Sequence, residues 1–389
     1  MVRPGSVVAA VCAGAGVALY VLYRRRRPKT GTKKRSLEED ADGSRKRTRS
    51  SDDAGGGIVV LGDAFVDVLV CGLAELPRWN ADVLAPTPIT MQAGGSALNT
   101  AVHLAGVADG VALHTALADD EFGAFLARSA RSRGVALFAA AGLPGGTGAC
   151  VVLSGEDRGF ATHRGVVDVA TAADLGAETA VARARDGGHV HLAGYYNCTA
   201  LRGGAPALFR SARAAGAATS LGAQHDATGA WEGIGTAELA GDDGPDYLIL
   251  SEDEARAVVA ARRAPSAGGA EADARALLDL DAARCCVVTL GPLGALAVVP
   301  RADGAIVVVR SPCAEVAVAD PTGAGDAFVA GFVAGLEQRS LRYALCLGCA
   351  CGAACVANVG ASAPLDGGRR DAALAACLSR APPDDAFLS

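Results

Sequence analysis

The stretch Ala319-Asp-Pro-Thr-Gly-Ala-Gly-Asp-Ala-Phe-Val-Ala-Gly-Phe-Val-Ala-Gly-Leu336 decides the fold of this chain. Its first half predicts a turn, because Pro321 fixes its own φ and Gly323 and Gly325 reach backbone angles closed to other residues. Its second half predicts a helix, because large apolar residues recur at four-residue steps. Free N–H groups and the positive end of the helix dipole would meet at this turn, which favours a phosphate or a developing anion.

Asp326 lies at the mouth of this turn, and two roles are open for its carboxylate. Acidic residues are favoured at helix N-termini, so Asp326 can simply stabilise the helix start. It can also serve as a base that faces the anion site, because a base must reach the hydroxyl that it deprotonates.

A second glycine-rich segment, Ala93-Gly-Gly-Ser-Ala-Leu-Asn-Thr-Ala101, precedes another predicted helix. Gly94 and Gly95 let the backbone approach a ligand closely, and Asn99 offers both a donor and an acceptor. A buried strand is predicted upstream over residues 58–62, continuing from Asp63 to Val70.

Asp67 interrupts this apolar strand. It either caps a turn or contacts a ligand, since a carboxylate can accept hydrogen bonds from two hydroxyls at once.

Together, the late and early segments resemble the signatures Asp-Thr-x-Gly-Ala-Gly-Asp and Gly-Gly-x-x-x-Asn-x-Ala of the ribokinase/PfkB family of carbohydrate kinases. The resemblance implies ATP-dependent phosphorylation of a sugar hydroxyl, most simply a hydroxymethyl group. It assigns Asp326 as general base, and it makes an anion hole of Gly323, Ala324 and Gly325. Backbone donors suit phosphoryl transfer, which needs positioning and charge stabilisation more than covalent chemistry. The residues that the resemblance assigns to the acceptor sugar are Asp67, Gly94, Gly95 and Asn99.

The resemblance also implies ATP, Mg²⁺ and, as an open question, a monovalent cation such as K⁺. Thr289-Leu-Gly-Pro-Leu-Gly294 resembles the nucleotide segment, so Thr289, Gly291 and Gly294 would border ATP together with Gly325. Asp320 and Thr322 would contact the cation.

Ser251 and Glu254 form a predicted capping box at a helix start, which is a sufficient structural explanation for both. The resemblance also assigns Glu254 to the water around Mg²⁺. The family carries Asn where this chain has Ser251.

Two departures count against ribose as the assured acceptor. Ser96 stands where ribokinase has Lys, and Phe65 stands where it has Asn. A nucleoside kinase of the same family is an alternative, since Phe65 and Tyr195 could stack on a base. A non-catalytic, membrane-tethered scaffold is another, although an intact Asp326 speaks against it.

The resemblance covers about residues 57–378, followed by a tail over 379–389. Alternating strands and helices predict an α/β fold with a mainly parallel central sheet and helices on both faces. The resemblance adds a small β lid, built from extended segments such as residues 83–92 and a hairpin over 148–169.

Composition favours a large folded body, since 51% of the 389 residues are hydrophobic and 20% are charged. The first 53 residues carry 13 basic and 6 acidic side chains, against 23 and 36 in the remainder. An acidic body excludes a nucleic-acid partner for the catalytic part.

The twelve cysteines lie mostly in apolar runs, which predicts reduced, buried thiols. His189 and His191 share a strand face but lack a third ligand, so both are predicted to be structural.

The N-terminal region carries its own predictions. Residues 1–23 are predicted to be a membrane anchor, and the arginines that follow at 24–27 favour a cytosolic kinase domain. An organelle-targeting segment is the alternative. Residues 24–56 are predicted to be a basic, disordered linker, whose two basic clusters also match a bipartite nuclear import signal. A homodimer is left open.

Overall fold

The computed structural model describes residues 56–155, 158–264, 266–301, 303–338 and 340–382. The predicted anchor over residues 1–23 and all but the last residue of the predicted linker lie outside these ranges, as do residues 383–389 of the tail. Within the described ranges, no helix is both long and apolar enough to cross a bilayer.

A nine-stranded sheet forms the centre of the molecule. Its strands, in spatial order, are β13 (Ile306–Ser311), β12 (Ala295–Pro300), β11 (Cys285–Thr289), β10 (Tyr247–Ser251), β9 (Ala218–Gly222), β8 (His189–Ala193), β1 (Ile58–Gly62), β4 (Ala112–Ala116) and β5 (Ala136–Ala140). The pairs from β5 across to β11 are parallel, and β12 and β13 complete the sheet antiparallel. The predicted, mainly parallel sheet is therefore confirmed.

The sequence of β1 shows why this sheet is buried on both faces. All five residues of Ile-Val-Val-Leu-Gly are buried. Successive side chains of a strand point to opposite faces, so Ile58 and Val60 join one core while Val59 and Leu61 join the other. A continuous apolar run is what a strand covered on both sides requires.

Helices cover both faces, as predicted. One face carries α1 (Ser96–Ala105), α2 (Glu121–Ser132), α9 (Ala324–Gln338), α10 (Leu341–Val356) and α11 (Gly367–Arg380). The other carries α3 (Val166–Val169), α4 (Ala177–Ala184), α5 (Thr199–Arg202), α6 (Ala205–Ala214), α7 (Glu252–Arg262) and α8 (Ala270–Asp279). Phe328, Phe332 and Leu336 of α9 are all buried, which matches their four-residue spacing.

A second, four-stranded sheet stands over the carboxyl end of β1. Its strand order is β3 (Thr90–Gly94), β2 (Phe65–Cys71), β6 (Ala149–Ser154) and β7 (Arg158–His163). The hairpin predicted within residues 148–169 is β6–β7. Of the extended segment predicted over 83–92, only the part from Thr90 onward is strand. We call this sheet the lid.

The structure corrects one prediction about the first strand. Residues 58–70 do not form a single strand, because β1 ends at Gly62 and β2 begins in the lid at Phe65. Asp63, between them, is fully buried and accepts a hydrogen bond from the N–H of Ala97 at 2.9 Å. This bond ties the crossing to the start of α1 and ends the pairing of β1.

Candidate active site

A cavity of about 430 Å³ lies where the carboxyl ends of the parallel strands meet the lid and the start of α9. Open α/β sheets place ligands at this edge. The lining residues come from the crossing and lid (Asp63, Phe65, Asp67, Cys150, Phe160, Thr162), from α1 and the residue before it (Gly95, Ser96, Asn99), from the strand ends (His191, Asn197, Gly222, Ala223, Gln224, Ile249, Leu250, Ser251, Glu254, Thr289), and from the late motif with its neighbours (residues 321–326, Val329, Ala361).

Both carboxylate oxygens of Asp326 accept hydrogen bonds inside this cavity. Its Oδ1 accepts hydrogen bonds from Ser96 Oγ at 2.8 Å and from Gln224 Nε2 at 3.2 Å. Its Oδ2 accepts one from Asn99 Nδ2 at 2.9 Å. Gln224 Nε2 also donates to Ser96 Oγ at 3.0 Å. The carboxylate is therefore held by donors from α1 and from the segment after β9.

Burial governs the protonation of this acid. Asp326 is only 6% exposed, and removal from water raises its pKa to about 7. The hydrogen bonds from Asn99 and Ser96 lower the pKa, and the negative charges of Asp63 and Glu254 raise it. A carboxyl group with a pKa near neutrality is suited to exchange a proton during a reaction.

The turn before α9 combines a strained glycine with an open one. Gly323 has φ +82°, and a Cβ at this position would lie 2.5 Å from the carbonyl oxygen of Ala361. A Cβ on Gly325 would meet nothing within 4 Å. Gly323, Ala324 and Gly325 all line the cavity, and α9 begins at Ala324. First-turn N–H groups have no acceptor within their own helix, so this turn can receive an anion.

The lid brings a second acid into the cavity. Burial, followed by the negative charge of Asp63, raises the pKa of Asp67 to about 7. A Cβ on Gly94 would lie 2.0 Å from Asp67 Oδ2, so this glycine leaves room for the carboxylate. Gly94 is not among the lining residues, whereas Gly95 is, with φ +92°. Of the four residues predicted to bind the acceptor, Asp67, Gly95 and Asn99 thus line the cavity.

Among the lining residues that the sequence did not reveal, three take part in the hydrogen bonds around Asp63 and Asp326. Asp63 accepts a hydrogen bond from Asn197 Nδ2 at 2.8 Å, and Gln224 reaches Asp326. Asp63 was read as part of a continuous strand. Asn197 and Gln224 follow the ends of β8 and β9, and polar residues at those positions are the signal that could have found them.

Glu254 lies at the cavity wall through the capping box of α7. Ser251 Oγ accepts from the N–H of Glu254 at 3.3 Å, and Glu254 Oε2 accepts from the N–H of Ser251 at 2.9 Å. The predicted capping box is therefore present. Burial raises the pKa of Glu254, so a cation beside it would favour its ionised form.

Only the first residue of the predicted nucleotide segment lies at the cavity. Thr289, at the end of β11, lines the cavity, but Gly291 and Gly294 are not among the lining residues. Gly294 has φ +102°, and a Cβ there would lie 2.0 Å from the carbonyl oxygen of Ser311. This glycine therefore lets the turn after β11 approach β13.

Asp320 and Thr322 form a loop tied to a distant segment. Asp320 Oδ1 accepts from the N–H of Thr322 at 2.9 Å and from its Oγ1 at 2.7 Å. Asp320 Oδ2 accepts from the N–H of Gly360 at 3.0 Å. Of the two predicted cation contacts, only Thr322 lines the cavity. Among the residues that the structure describes, no group of three or more His, Cys, Asp or Glu could hold a metal ion by itself.

The histidine pair and Tyr195 have packing roles. His189 and His191 each share a 2.7 Å hydrogen bond with Ser220 Oγ, and burial lowers the pKa of both to about 3. His191 also lines the cavity. Tyr195 is buried and packs edge-on against Tyr196, outside the cavity lining, so the structure does not support its predicted role in stacking on a base. The eleven described cysteines are free thiols, of which eight are buried, whereas Cys150 and Cys313 are half-buried and Cys71 is exposed.

Comparison with known proteins agrees with this architecture. The family described as pfkB family carbohydrate kinase matches residues 58–367. Adenosine kinase from Sinorhizobium meliloti superposes with a TM-score of 0.65 at 23% identity, covering 84% of this chain and 99% of that one. Arabidopsis thaliana ribokinase, solved with ribose and ATP, gives 0.65 at 23% identity over 82% and 99%. Fructokinase from Xylella fastidiosa, solved with ATP, gives 0.63 at 21% identity over 83% and 97%. No curated protein sequence matches significantly.

This chain belongs to the pfkB family of carbohydrate kinases. It is thus a phosphotransferase of the family that includes sugar and nucleoside kinases, and its fold is the ribokinase-like α/β fold with a mostly parallel central sheet.

Proposed function

We propose that this protein transfers the terminal phosphoryl group of ATP to a hydroxymethyl group of a sugar, with Asp326 as general base. The observation that supports this proposal most strongly is the buried Asp326 carboxylate, which accepts hydrogen bonds from three side chains. It lies next to the glycine turn at the start of α9, where the space beside Gly325 is open. The base and the anion site thus face one cavity, as in-line phosphoryl transfer requires.

The hydrogen bonds distinguish the two oxygens of the base. A carboxylate oxygen accepts about two hydrogen bonds. Oδ1 already accepts from Ser96 and Gln224, whereas Oδ2 accepts only from Asn99. Oδ2 therefore has the lone pair that takes the proton of the attacking hydroxyl. Ser96 and Gln224 hold the carboxylate so that this lone pair stays directed.

The turn over residues 323–325 stabilises the charge that develops on the transferred phosphoryl oxygens. The missing side chain of Gly325 leaves space for those oxygens beside the first turn of α9, whose N–H groups supply the hydrogen-bond donors. Thr289, at the end of β11, borders the nucleotide.

The acidic character of the cavity fits a divalent cation that arrives with the nucleotide. Mg²⁺ is usually bound through one or two carboxylates together with substrate phosphates, rather than by a complete protein cage. Glu254 is the residue placed to hold it through the hydration shell, and burial raises the pKa of Glu254 in the absence of such a charge. When bound, Mg²⁺ neutralises charge on the phosphates. Asp320 and Thr322 remain the proposed contacts of a monovalent cation.

The acceptor end of the cavity favours a compact polyol. Asp67 and Asn99 offer hydrogen-bonding groups, and Asn99 Oδ1 is buried with no partner among the described residues. Phe65 and Phe160 are the aromatic side chains of the lining and could cover one face of a ring. Because the structural neighbours include an adenosine kinase, a nucleoside remains the second candidate acceptor.

The decisive experiment compares wild type with Asp326→Asn in ADP release with Mg·ATP against a panel of sugars and nucleosides. We expect the variant to lose about 10²–10⁴-fold in kcat while nucleotide binding is retained. Wild-type kcat/KM should fall below about pH 7, because protonated Asp326 in the free enzyme cannot act as a base. Asn99 can turn its unpartnered Oδ1 toward the new amide, so the variant should fold.

Asp279→Asn is the matched control, since Asp279 is exposed at the end of α8 and does not line the cavity. Full turnover by Asp326→Asn would refute the assignment of the base. If wild type binds ATP but releases no ADP with any sugar or nucleoside of the panel, the non-catalytic scaffold would be favoured.

A further inference from the structure

The cavity carries acids without any basic partner. Among the side chains that the structure describes, four carboxyl groups line the cavity, and no Lys or Arg does. The carboxyl groups belong to Asp63, Asp67, Glu254 and Asp326. Its one histidine, His191, is neutral at physiological pH, because burial lowers its pKa to about 3.

The distribution of lysine in the sequence explains why no lysine side chain of the body reaches the cavity. Its four lysines are Lys29, Lys33, Lys34 and Lys46, so every basic side chain of the folded body after residue 53 is an arginine or a histidine. Arginine side chains of the body form ion pairs with carboxylates or donate hydrogen bonds to carbonyl oxygens. No flexible lysine is therefore available to reach into the cavity from the body.

Three arginines that follow lining residues in the sequence have other partners. Arg164 lies 3.6 Å from Asp168 and donates toward Thr199 Oγ1. Arg202 lies over the ring of Tyr195, and Arg262 donates to the carbonyl oxygen of Trp231. None of these three arginines is among the residues that line the cavity.

In the part of the chain that the structure describes, the electropositive feature that faces the cavity is the turn and helix start at residues 323–325. The proposed reaction uses this feature for the transferred phosphoryl group. A second anionic group, carried by the acceptor itself, would have to lie among Asp63, Asp67 and the lid. Burying a charge without a positively charged partner is costly, and the ionised fraction of the neighbouring carboxyl groups raises the cost further.

We propose that the acceptor carries no negative charge, so that the enzyme phosphorylates a neutral sugar or polyol and rejects phosphorylated sugars and sugar acids. This inference rests on the proposed kinase function, and it adds the charge class of the acceptor. Rejection arises from unpaired like charge, which is a common basis of specificity in binding sites.

The test uses matched acceptor pairs with the full wild-type chain. Fructose is compared with fructose 6-phosphate, ribose with ribose 5-phosphate, and glucose with gluconate. Binding is measured by calorimetry without nucleotide, and turnover by ADP release with Mg·ATP. We expect the neutral member of at least one pair to bind, and its kcat/KM to exceed that of its anionic partner by at least about 100-fold.

Equal or tighter binding of an anionic member would overturn the inference, as would failure of every neutral member to bind at millimolar concentration. Failure of the kinase proposal looks different. In that case a neutral sugar would bind, but no ADP would be released in its presence.

A charge added to the lid gives an independent check. Phe160 lines the cavity and is 64% exposed, so its replacement does not disturb the core. Phe160→Arg should improve the relative kcat/KM for phosphorylated sugars by at least about 10-fold, whereas Phe160→Gln should not. Improvement by both variants would mean that steric bulk, and not charge, excludes the anions, and would overturn the inference. No improvement by the Arg variant would also count against it.

Discussion

Two glycines of one turn carry different constraints. Gly323 is required by the backbone, since its φ is +82° and a Cβ would press on Ala361. Gly325 is not required by the backbone, because the space around its missing Cβ is open. The open space is part of the cavity, so we attribute the glycine at 325 to the ligand and the glycine at 323 to the fold.

Alanine should therefore affect activity at position 325 and stability at position 323. Gly325→Ala should keep the melting temperature of wild type but lower kcat at least about 10-fold, because its methyl group enters the space of the phosphoryl oxygens. Gly323→Ala should lower the free energy of unfolding by about 1–3 kcal/mol through backbone strain. Thermal unfolding and ADP release measure the two effects. A fully active Gly325→Ala variant would contradict the anion-hole assignment.

Single residues also show where prediction from sequence stops. Asp67, Asn99 and Asp326 lie in recognisable segments, and the sequence analysis placed all three at the site. Gln224 is in no such segment. Its contact with Asp326 spans 102 positions and depends on a left-handed backbone, with φ +64°, after β9. Only the assembled sheet brings this side chain to the carboxylate.

At the level of elements, α7 connects helix stability with the proposed metal function. Ser251 caps the helix, and its N–H in return holds one oxygen of Glu254. The same side chain that closes the capping box therefore positions the acid at the cavity wall. Replacing the family's Asn by Ser leaves this arrangement intact, since both residues are good N-caps.

Substitutions at Ser251 should separate the two roles. Ser251→Ala removes the cap and should cost about 1 kcal/mol of stability, whereas Ser251→Asn should cost little. Ser251→Ala keeps the backbone N–H that holds Glu254 but loosens the first turn of α7, on which Glu254 lies, so the Ala variant should also need more Mg²⁺ for half-maximal activity. Chemical denaturation and Mg²⁺ titration of ADP release provide the measurements. An unchanged Mg²⁺ requirement in a destabilised Ala variant would restrict Ser251 to helix capping.

Element prediction was accurate where apolar spacing was regular and failed at one junction. The helix expected from Gly325 to Leu336 extends over Ala324–Gln338. The strand expected over residues 58–70 is instead two strands in two sheets. Apolar residues continue across the junction, so their pattern contains no break. The division comes from the buried hydrogen bond between Asp63 and α1, which is a tertiary contact.

For the whole molecule, charge separates the N-terminal region from the acidic body. The prediction that residues 1–23 anchor the chain in a membrane stands independently of the described domain. Full-length protein should sediment with membranes and resist extraction by high salt, while a chain beginning at residue 56 should remain in the supernatant. Subcellular fractionation with a C-terminal tag tests this. Full-length protein in the supernatant would refute the anchor, and release by salt would indicate lipid attraction through the basic linker.

The family and the architecture could be predicted from two short segments, because each has a distinctive composition. The acceptor could not, because the cavity gathers side chains from Asp63 to Ala361 and its shape depends on the lid. The charge class becomes visible only when the lining is assembled. Arginines are frequent in the sequence, and that none of the described ones lines the cavity is a property of the packed molecule.

The crossing between the two sheets has a kinetic consequence. The chain passes from β1 to the lid through Asp63 and Ala64, and it returns from β3 to α1 through Gly95. Asp63 and Gly95, which connect the lid to the central sheet and to α1, thus also line the cavity that a ligand would occupy. Affinity and the rate constants for ligand entry and exit are therefore coupled at these positions, so that a substitution there changes residence time together with equilibrium binding.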